Sequence, residues 1–499
     1  MEAKDRWNPV FVISLSVTLG IVLWGLFAPE SFAAVANGVF SFLIGSFGWL
    51  YIWAMFIFVA FAVFMAVSGY GKIKLGSDND EPEFSSISWF AMLFSAGMGI
   101  GLVFWGVAEP LYHYMQPPVG TPQTPEAAIQ AITISFFHWG FHPWANYSIL
   151  GMALAYFQFR RNAPGLISSI FVPIIGEKGV RGPIGKTIDI LAIFATVAGI
   201  ATSLGLGTLQ INSGVNFLWG VPINSTVQIA IIVVITAIFL GSAITGIEKG
   251  IKYISNLNLG TAFFVLIATL LIGPTVKIIE VLTTGLGAYL GGFIERSLTL
   301  APFGDAGWLG GWTLFYWAWW IAWGPFVGTF IARISKGRTI REFVAGVILV
   351  PALGSFVWFA VFGTLGLNLE ISGIAAVGQN AIADVSTAFF VVYSHYPFGQ
   401  IISIITVALI STFFITSGNS ATFVLSMLSS DGALNPSLIK MVIWGILLAA
   451  LSIALLITGG LQTLQIASIA AAFPFAIVML LACLSLYKAV SEEHRPLKK

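Results

Sequence analysis

The chain has 499 residues, 58% of them hydrophobic and only 9% charged, with a formal net charge of +1. A soluble domain carries about a quarter charged residues, so an all-α integral membrane protein is expected, and the small net charge offers nothing to nucleic acid. The single cysteine, Cys483, excludes an internal disulfide. No His/Cys set at metal-ligand spacing and no activated nucleophile is visible, so an enzyme is not expected.

Twelve spans are predicted: 9–29, 47–68, 87–112, 128–158, 186–212, 224–246, 256–275, 308–332, 342–367, 398–428, 438–458 and 461–487. The first follows Lys4 and Arg6, and Ala34-Val35-Ala36 imitates a signal-peptidase site. Its apolar run exceeds a signal core, so a retained helix is expected. With both termini cytoplasmic, 20 of the 22 Lys and Arg fall inside, leaving Lys277 and Arg296 outside. That asymmetry is the positive-inside pattern of a multi-pass cell-membrane protein.

Residues 1–86 hold two extra helices. Residues 87–275 and 308–487 form two groups of five spans, the second inverted by its odd number. Such inverted repeats build many secondary transporters, with the substrate near the midplane at interrupted helices. Gly97–Gly101 in the first group and Gly324-Pro325 in the second are the expected interruptions. Residues 276–307 read as a helix on the outer surface, and 488–499 as a short cytoplasmic tail. The four cations of "ARISKGRTIREF" (332–343) read as ordinary inside charge, or as a lipid or regulatory contact.

Three stretches carry chemistry. In "SAGMGIGLVFWGVAEP" (95–110), glycines at alternate positions favour unwinding, whose freed amides suit a carboxylate and whose carbonyls suit a cation. Close helix packing is the plainer reading. In "FFITSGNSATF" (413–423), Thr416 and Ser417 are hard oxygen donors for a small alkali ion, or bond to their own helix. In "HWGFHPWANY" (138–147), Trp139, Trp144 and Tyr147 flank a proline; His138 and His142 read as packing residues rather than a proton relay.

The spans hold few acids. Asp189 lies near the inner end of span five, and Glu109, before Pro110, is assigned a structural role. A proton pump or cation channel places ionisable groups along its path, so coupling through oxygen-ligated Na⁺ fits better. "WTLFYWAWWIAW" (312–323) contains seven aromatics. Trp312, Tyr316, Trp319, Trp320 and Trp323 share one broad face at helical spacing. Such rings bind a quaternary ammonium through their π faces. A zwitterion with such a head and a carboxylate tail needs an aromatic box and free amides, and both are present.

These motifs, with "GPFVGTFIARISKGRTIREF", resemble the betaine/choline/carnitine transporter family over essentially the whole chain. The resemblance implies a LeuT-type inverted five-plus-five fold of twelve helices, two of them preceding the repeats, and a homotrimer. It puts the substrate box on Trp139, Trp144, Tyr147 and Trp320, with Gly97, Met98, Gly99 and Gly101 beside it and Trp323 below. Phe315 and Trp319 match outer gating aromatics. Na⁺ falls to backbone carbonyls of Ser95, Met98 and Phe413 and to the hydroxyls of Thr416 and Ser417. A second Na⁺ near Thr196 is in doubt, because Ile200 replaces an expected hydroxyl. Choline-type members place an acid in the glycine stretch and this chain has none, which favours a zwitterion. Na⁺-coupled uptake of glycine betaine for osmoprotection is therefore expected. Carnitine, ectoine, proline, dimethylsulfoniopropionate or choline, and Na⁺-independent exchange, are the alternatives. The brief tail argues against tail-based osmotic activation.

Overall fold

The computed structural model describes residues 7–97, 99–245, 248–433 and 435–494, which form no β-strand; one isolated antiparallel bridge joins Lys74 to Thr339. Two long helices open the chain, α1 (Pro9–Phe27) and α2 (Pro29–Val67). A broken pair follows, α3 (Ser86–Gly97) and α4 (Ile100–Met115), then a second, α5 (Pro125–Trp139) and α6 (Phe141–Ala155). Next come α7 (Val172–Arg181), α8 (Pro183–Trp219), α9 (Ser225–Ile244) and α10 (Glu248–Ile272). Helices α11 (Thr275–Gly291) and α12 (Phe293–Ser297) lead to the short α13 (Gly307–Leu309), which runs through a wide turn into α14 (Phe315–Ile334). Beyond α15 (Ile340–Ile371), the short α16 (Gly378–Ala383) and α17 (Ala388–Tyr393) precede α18 (Gly399–Leu428), α19 (Leu438–Gly459) and α20 (Leu461–His494).

Helix starts have local causes. The side chains of Asn8, Thr124 and Asn224 each accept the amide three residues on, and Thr339 and Glu342 cap each other's backbone at α15. Gly220, at φ 71°, ends α8 in the left-handed region.

Among the described residues, nine helices are long and apolar enough to cross a membrane, and α3 with α4 make a tenth, bent by 65° at the break. Of the twelve expected spans, 128–158 and 308–332 fall short of that measure. The first is divided at Gly140 (φ −91°, ψ −127°) into two helices of 15 residues. Only glycine fits at the break: a β-carbon at Gly140 would lie 2.5 Å from the Phe136 carbonyl oxygen and 2.8 Å from the Tyr289 hydroxyl. That hydroxyl accepts the Phe141 amide at 3.1 Å, satisfying backbone freed at the break.

The expected interruption at Gly324-Pro325 is absent. Helix α14 continues through Pro325, with Gly324 against Leu150 and Gly328 tight on Leu150 and Gly151 of α6. Close packing supports the continuous helix where proline removes a donor. The last helix also passes the expected end at 487 and reaches His494. Its Glu493 is held by Tyr156 (2.6 Å) and Arg160, and its Lys488 donates to the Pro173 carbonyl at 2.7 Å.

Helices α4, α5, α6, α14 and α15 pack into one group, and α8, α9, α18 and α19 into another; α14 meets α8, and α4 meets α18, across the boundary. The basic loop after α14 is pinned at several points. Arg333 pairs with Glu83 at 2.8 Å, Arg341 donates to the Ala66 carbonyl, and the Arg338 guanidinium lies 4.0 Å above the Trp89 ring of α3. The Trp89 indole also donates to Ser335 at 3.0 Å, and Arg338 donates to the Phe84 carbonyl.

Candidate functional site

Between the two helix groups lies a cavity of about 1090 Å³. It unites residues from four distant parts of the sequence. Trp139, Trp144 and Tyr147 come from α5 and α6, and Trp319, Trp320 and Trp323 from α14. Ser95, Gly99 and Gly101 come from the first broken pair, and Phe413, Thr416 and Ser417 from α18. Of the expected site residues, Gly97 closes α3, while Met98 lies outside the described residues.

The break at Gly140 turns Trp139 and Trp144 toward a common centre, and rigid neighbours hold the rings. Trp139 meets Trp320 edge to face at 4.8 Å and 74°. Trp144 meets Tyr147 at 5.4 Å and 78°, and Tyr147 meets Trp320 at 6.4 Å and 80°. Trp320 donates its indole N–H to the His138 carbonyl (3.0 Å), and its own carbonyl accepts from Asn146 (2.8 Å). Trp323 is half-buried and donates to the Gly199 carbonyl at 2.8 Å.

Phe315 does not line the cavity; it lies fully buried behind Trp319, with the two rings stacked. Trp319 in turn stacks on Trp320 at 4.8 Å. Gly101 is required by this packing: a β-carbon there would come 2.7 Å from Trp319 and 2.8 Å from Trp139. The glycine that the sequence marked for unwinding also gives the rings room.

At the oxygen-rich edge, the Thr416 hydroxyl donates to the carbonyls of Thr412 and Phe413, each at 3.1 Å, and accepts from Asn258 at 3.4 Å. Ser417 faces the cavity half-buried. Carbonyl and hydroxyl oxygens in this number suit a hard monovalent ion better than a transition metal. Thr196 is not part of the cavity wall: it is buried, and its hydroxyl donates to the Ala192 carbonyl of its own helix. Asn258 is a contributor that the sequence reading missed; an asparagine in an apolar span was its only signal.

The larger omission is Glu109. It sits inside α4, fully buried, directly behind the box. One carboxylate oxygen accepts the Trp139 indole N–H at 3.0 Å and the Tyr316 hydroxyl at 2.5 Å. The other faces His138 Nδ1 at 2.6 Å, and His138 Nε2 meets the Thr313 hydroxyl at 2.9 Å. His113 approaches at 3.4 Å, and the ligand atoms of Glu109, His113 and His138 lie within 4.8 Å of one another. Glu109 and His113 are one helical turn apart, whereas His138 joins them from another helix. The structural role expected of Glu109 takes the form of a buried hydrogen-bonded cluster, and an acid inside a span is itself a functional signal. His142, by contrast, packs as expected, stacked between Phe293 and Trp317.

The cavity extends from the rings past Phe326 and Phe330 to Gln158 and Arg333, at the end of the helices that carries the basic loops. Toward the other end, Phe315 and Trp319 close over it, and Trp105, Trp312 and Tyr112 pack in sequence beyond them.

The model of the betaine/carnitine/choline family transporters matches residues 9–495. The chain belongs to that family. It is 48% identical over 495 residues to the glycine betaine transporter OpuD of Bacillus subtilis (strain 168), covering 99% of this chain and 96% of that protein. A probable glycine betaine transporter of Desulfitobacterium hafniense (strain Y51) is also 48% identical, over 99% of both chains. The ectoine/hydroxyectoine transporter of Virgibacillus pantothenticus is 43% identical, over 99% of this chain and 98% of that one. The family and the many apolar helices together make this transporter a multi-pass membrane protein.

Proposed function

We propose that the transporter is a Na⁺-coupled symporter that takes up glycine betaine, or a closely related zwitterionic compatible solute, for osmoprotection. The observation that carries this reading is the convergence of Trp139, Trp144, Tyr147 and Trp320 on one cavity that Phe413, Thr416 and Ser417 also line. Four π faces suit a trimethylammonium head, each contact contributing about 0.5–2 kcal/mol. The break between α3 and α4 offers backbone amides for the carboxylate tail. Two relatives named as glycine betaine transporters, each 48% identical, favour the same substrate.

The cycle we propose is alternating access in a twelve-span, LeuT-type inverted repeat, with both termini cytoplasmic and three copies in the membrane. Na⁺, when bound, supplies the positive charge that draws α3 toward α18. The chain's own part is to close rings on the head, exclude water, and keep Phe315 and Trp319 shut while the cavity faces the basic end. By the charge rule that end is cytoplasmic, and in this cycle it serves as the inward opening of the cavity.

Uptake of labelled glycine betaine into proteoliposomes, with and without an inward Na⁺ gradient, tests both halves. Uptake indifferent to Na⁺ sinks the coupling, and uptake not competed by excess unlabelled betaine sinks the substrate. The ectoine/hydroxyectoine transporter at 43% identity favours ectoine as the second reading; competition by ectoine but not betaine would establish it.

A further inference from the structure

The carboxylate behind the box has a use beyond packing. Trp139 can only donate through its indole nitrogen, so the Glu109 oxygen facing it is an acceptor, and it accepts from Tyr316 as well. The opposite oxygen shares a proton with His138, whose second nitrogen also has a partner in Thr313. His138 therefore has an oxygen partner at each ring nitrogen, and a partner of this kind is what a buried carboxyl group requires. The His138 ring, and His113 with it, approach the oxygen turned away from Trp139. The oxygen that meets the indole is thus left to accept from Trp139 and Tyr316 alone.

The trio resembles a metal site, but its geometry favours a shared proton. The 2.6 Å between Glu109 and His138 is well short of the roughly 3.3 Å that separates two ligands of one tetrahedral zinc ion with bonds near 2.0–2.1 Å.

An indole whose N–H is bonded to a carboxylate gains electron density over its face. The attraction of a cation to that face is electrostatic, and it is stronger in a dry interior. We propose that Glu109 acts through Trp139 as a specificity-determining positioning residue, setting the preference of the box for a quaternary ammonium over an uncharged head of the same shape. This rests on the betaine reading. It also recasts the missing acid of the glycine stretch: the negative charge stands behind the ring rather than beside the ligand.

The test compares glycine betaine with 3,3-dimethylbutanoate, in which carbon replaces the charged nitrogen, as competitors of labelled betaine binding to the full-length transporter. Glu109→Gln keeps an oxygen for the indole and removes the charge. We expect the affinity ratio of betaine to dimethylbutanoate to fall by roughly three- to tenfold, with betaine carrying the change. Tyr316→Phe removes the competing donor and keeps the ring, so the ratio should hold or rise. An unchanged ratio in Glu109→Gln, an equal loss of both ligands, or a fall in Tyr316→Phe overturns the proposal. If Glu109→Gln does not fold, Tyr316→Phe decides it on the same terms. Wild-type protein that shows no saturable betaine binding overturns the substrate reading itself, and this proposal with it.

Discussion

Phe315 and Trp319, four residues apart on α14, stack with ring centroids 5.5 Å apart and planes 13° from parallel. Trp319 continues the stack onto Trp320, 4.8 Å away at 17°. Phe315, Trp319 and Trp320 thus form one continuous stack, so a change in one ring is felt by the next.

Trp320→Leu removes the ring that meets both Trp139 and Tyr147. Binding of betaine should weaken at least tenfold, as expected for losing one strong cation–π contact and loosening two others. Calorimetric titration of detergent-solubilised protein measures this, and near-normal affinity would refute the assignment.

Phe315→Ala takes away the upper ring while leaving every residue of the cavity wall in place. Betaine binding should change less than in Trp320→Leu, while uptake slows through a gate that no longer seals. Labelling of a cysteine placed in the cavity by a membrane-impermeant reagent, added from the side opposite the basic loops, should increase. Labelling as slow as in the parent shows that the stack does not seal the site.

Gly101→Ala adds a carbon where Trp319 and Trp139 already stand 2.7 and 2.8 Å away. Both rings must move, at a cost of about 1–3 kcal/mol in strain. Betaine affinity should fall by tenfold or more, with a smaller drop in melting temperature. A variant that binds normally shows that the rings yield freely.

Thr416→Ala and Ser417→Ala test the oxygen-rich edge. Each should raise the Na⁺ concentration for half-maximal uptake several-fold, with the larger effect on Na⁺ rather than on betaine. Asn258→Ala, which frees the Thr416 hydroxyl from its 3.4 Å donor, should shift the Na⁺ dependence the opposite way. Uptake curves against Na⁺ that superimpose on the parent's exclude this edge as the ion site.

Gly140→Ala should be among the most damaging single-methyl changes outside the box. The new carbon meets a carbonyl oxygen at 2.5 Å and the Tyr289 hydroxyl at 2.8 Å, and backbone cannot retreat as a flexible side chain can. A loss of about 2 kcal/mol or more is expected. Thermal unfolding in detergent reads it.

The sequence displayed its helices well, because long apolar runs and cap residues such as Asn8, Thr124 and Asn224 are local signals. The box was legible through the density of rings in 312–323 and 138–147. Two breaks were misjudged in opposite directions. Gly324-Pro325 has the composition of an interruption, but tight packing on α6 keeps α14 whole. Gly140 is one glycine among 53, and the group that receives the amide freed there is the hydroxyl of Tyr289, far away in the chain. Glu109 was hidden for the same reason. His113 stands one helical turn away in α4, but the other partners come from α5 and from 312–323, which no spacing within α4 announces.

Trp89 sits on the arm of the broken helix that precedes the glycines, and it is held by Arg338 and Ser335 from the loop after α14. The segment leading to the oxygen-rich edge and the helix bearing the box rings are thus tied together at their basic ends. In mechanical terms the loop is a tie-rod, and in the symport we propose it would make ion and solute move as one load. Severing it with Arg338→Ala should leave both sites able to bind yet let them slip. The flux ratio of Na⁺ to betaine, fixed in a tight symporter, would then drift with the gradient.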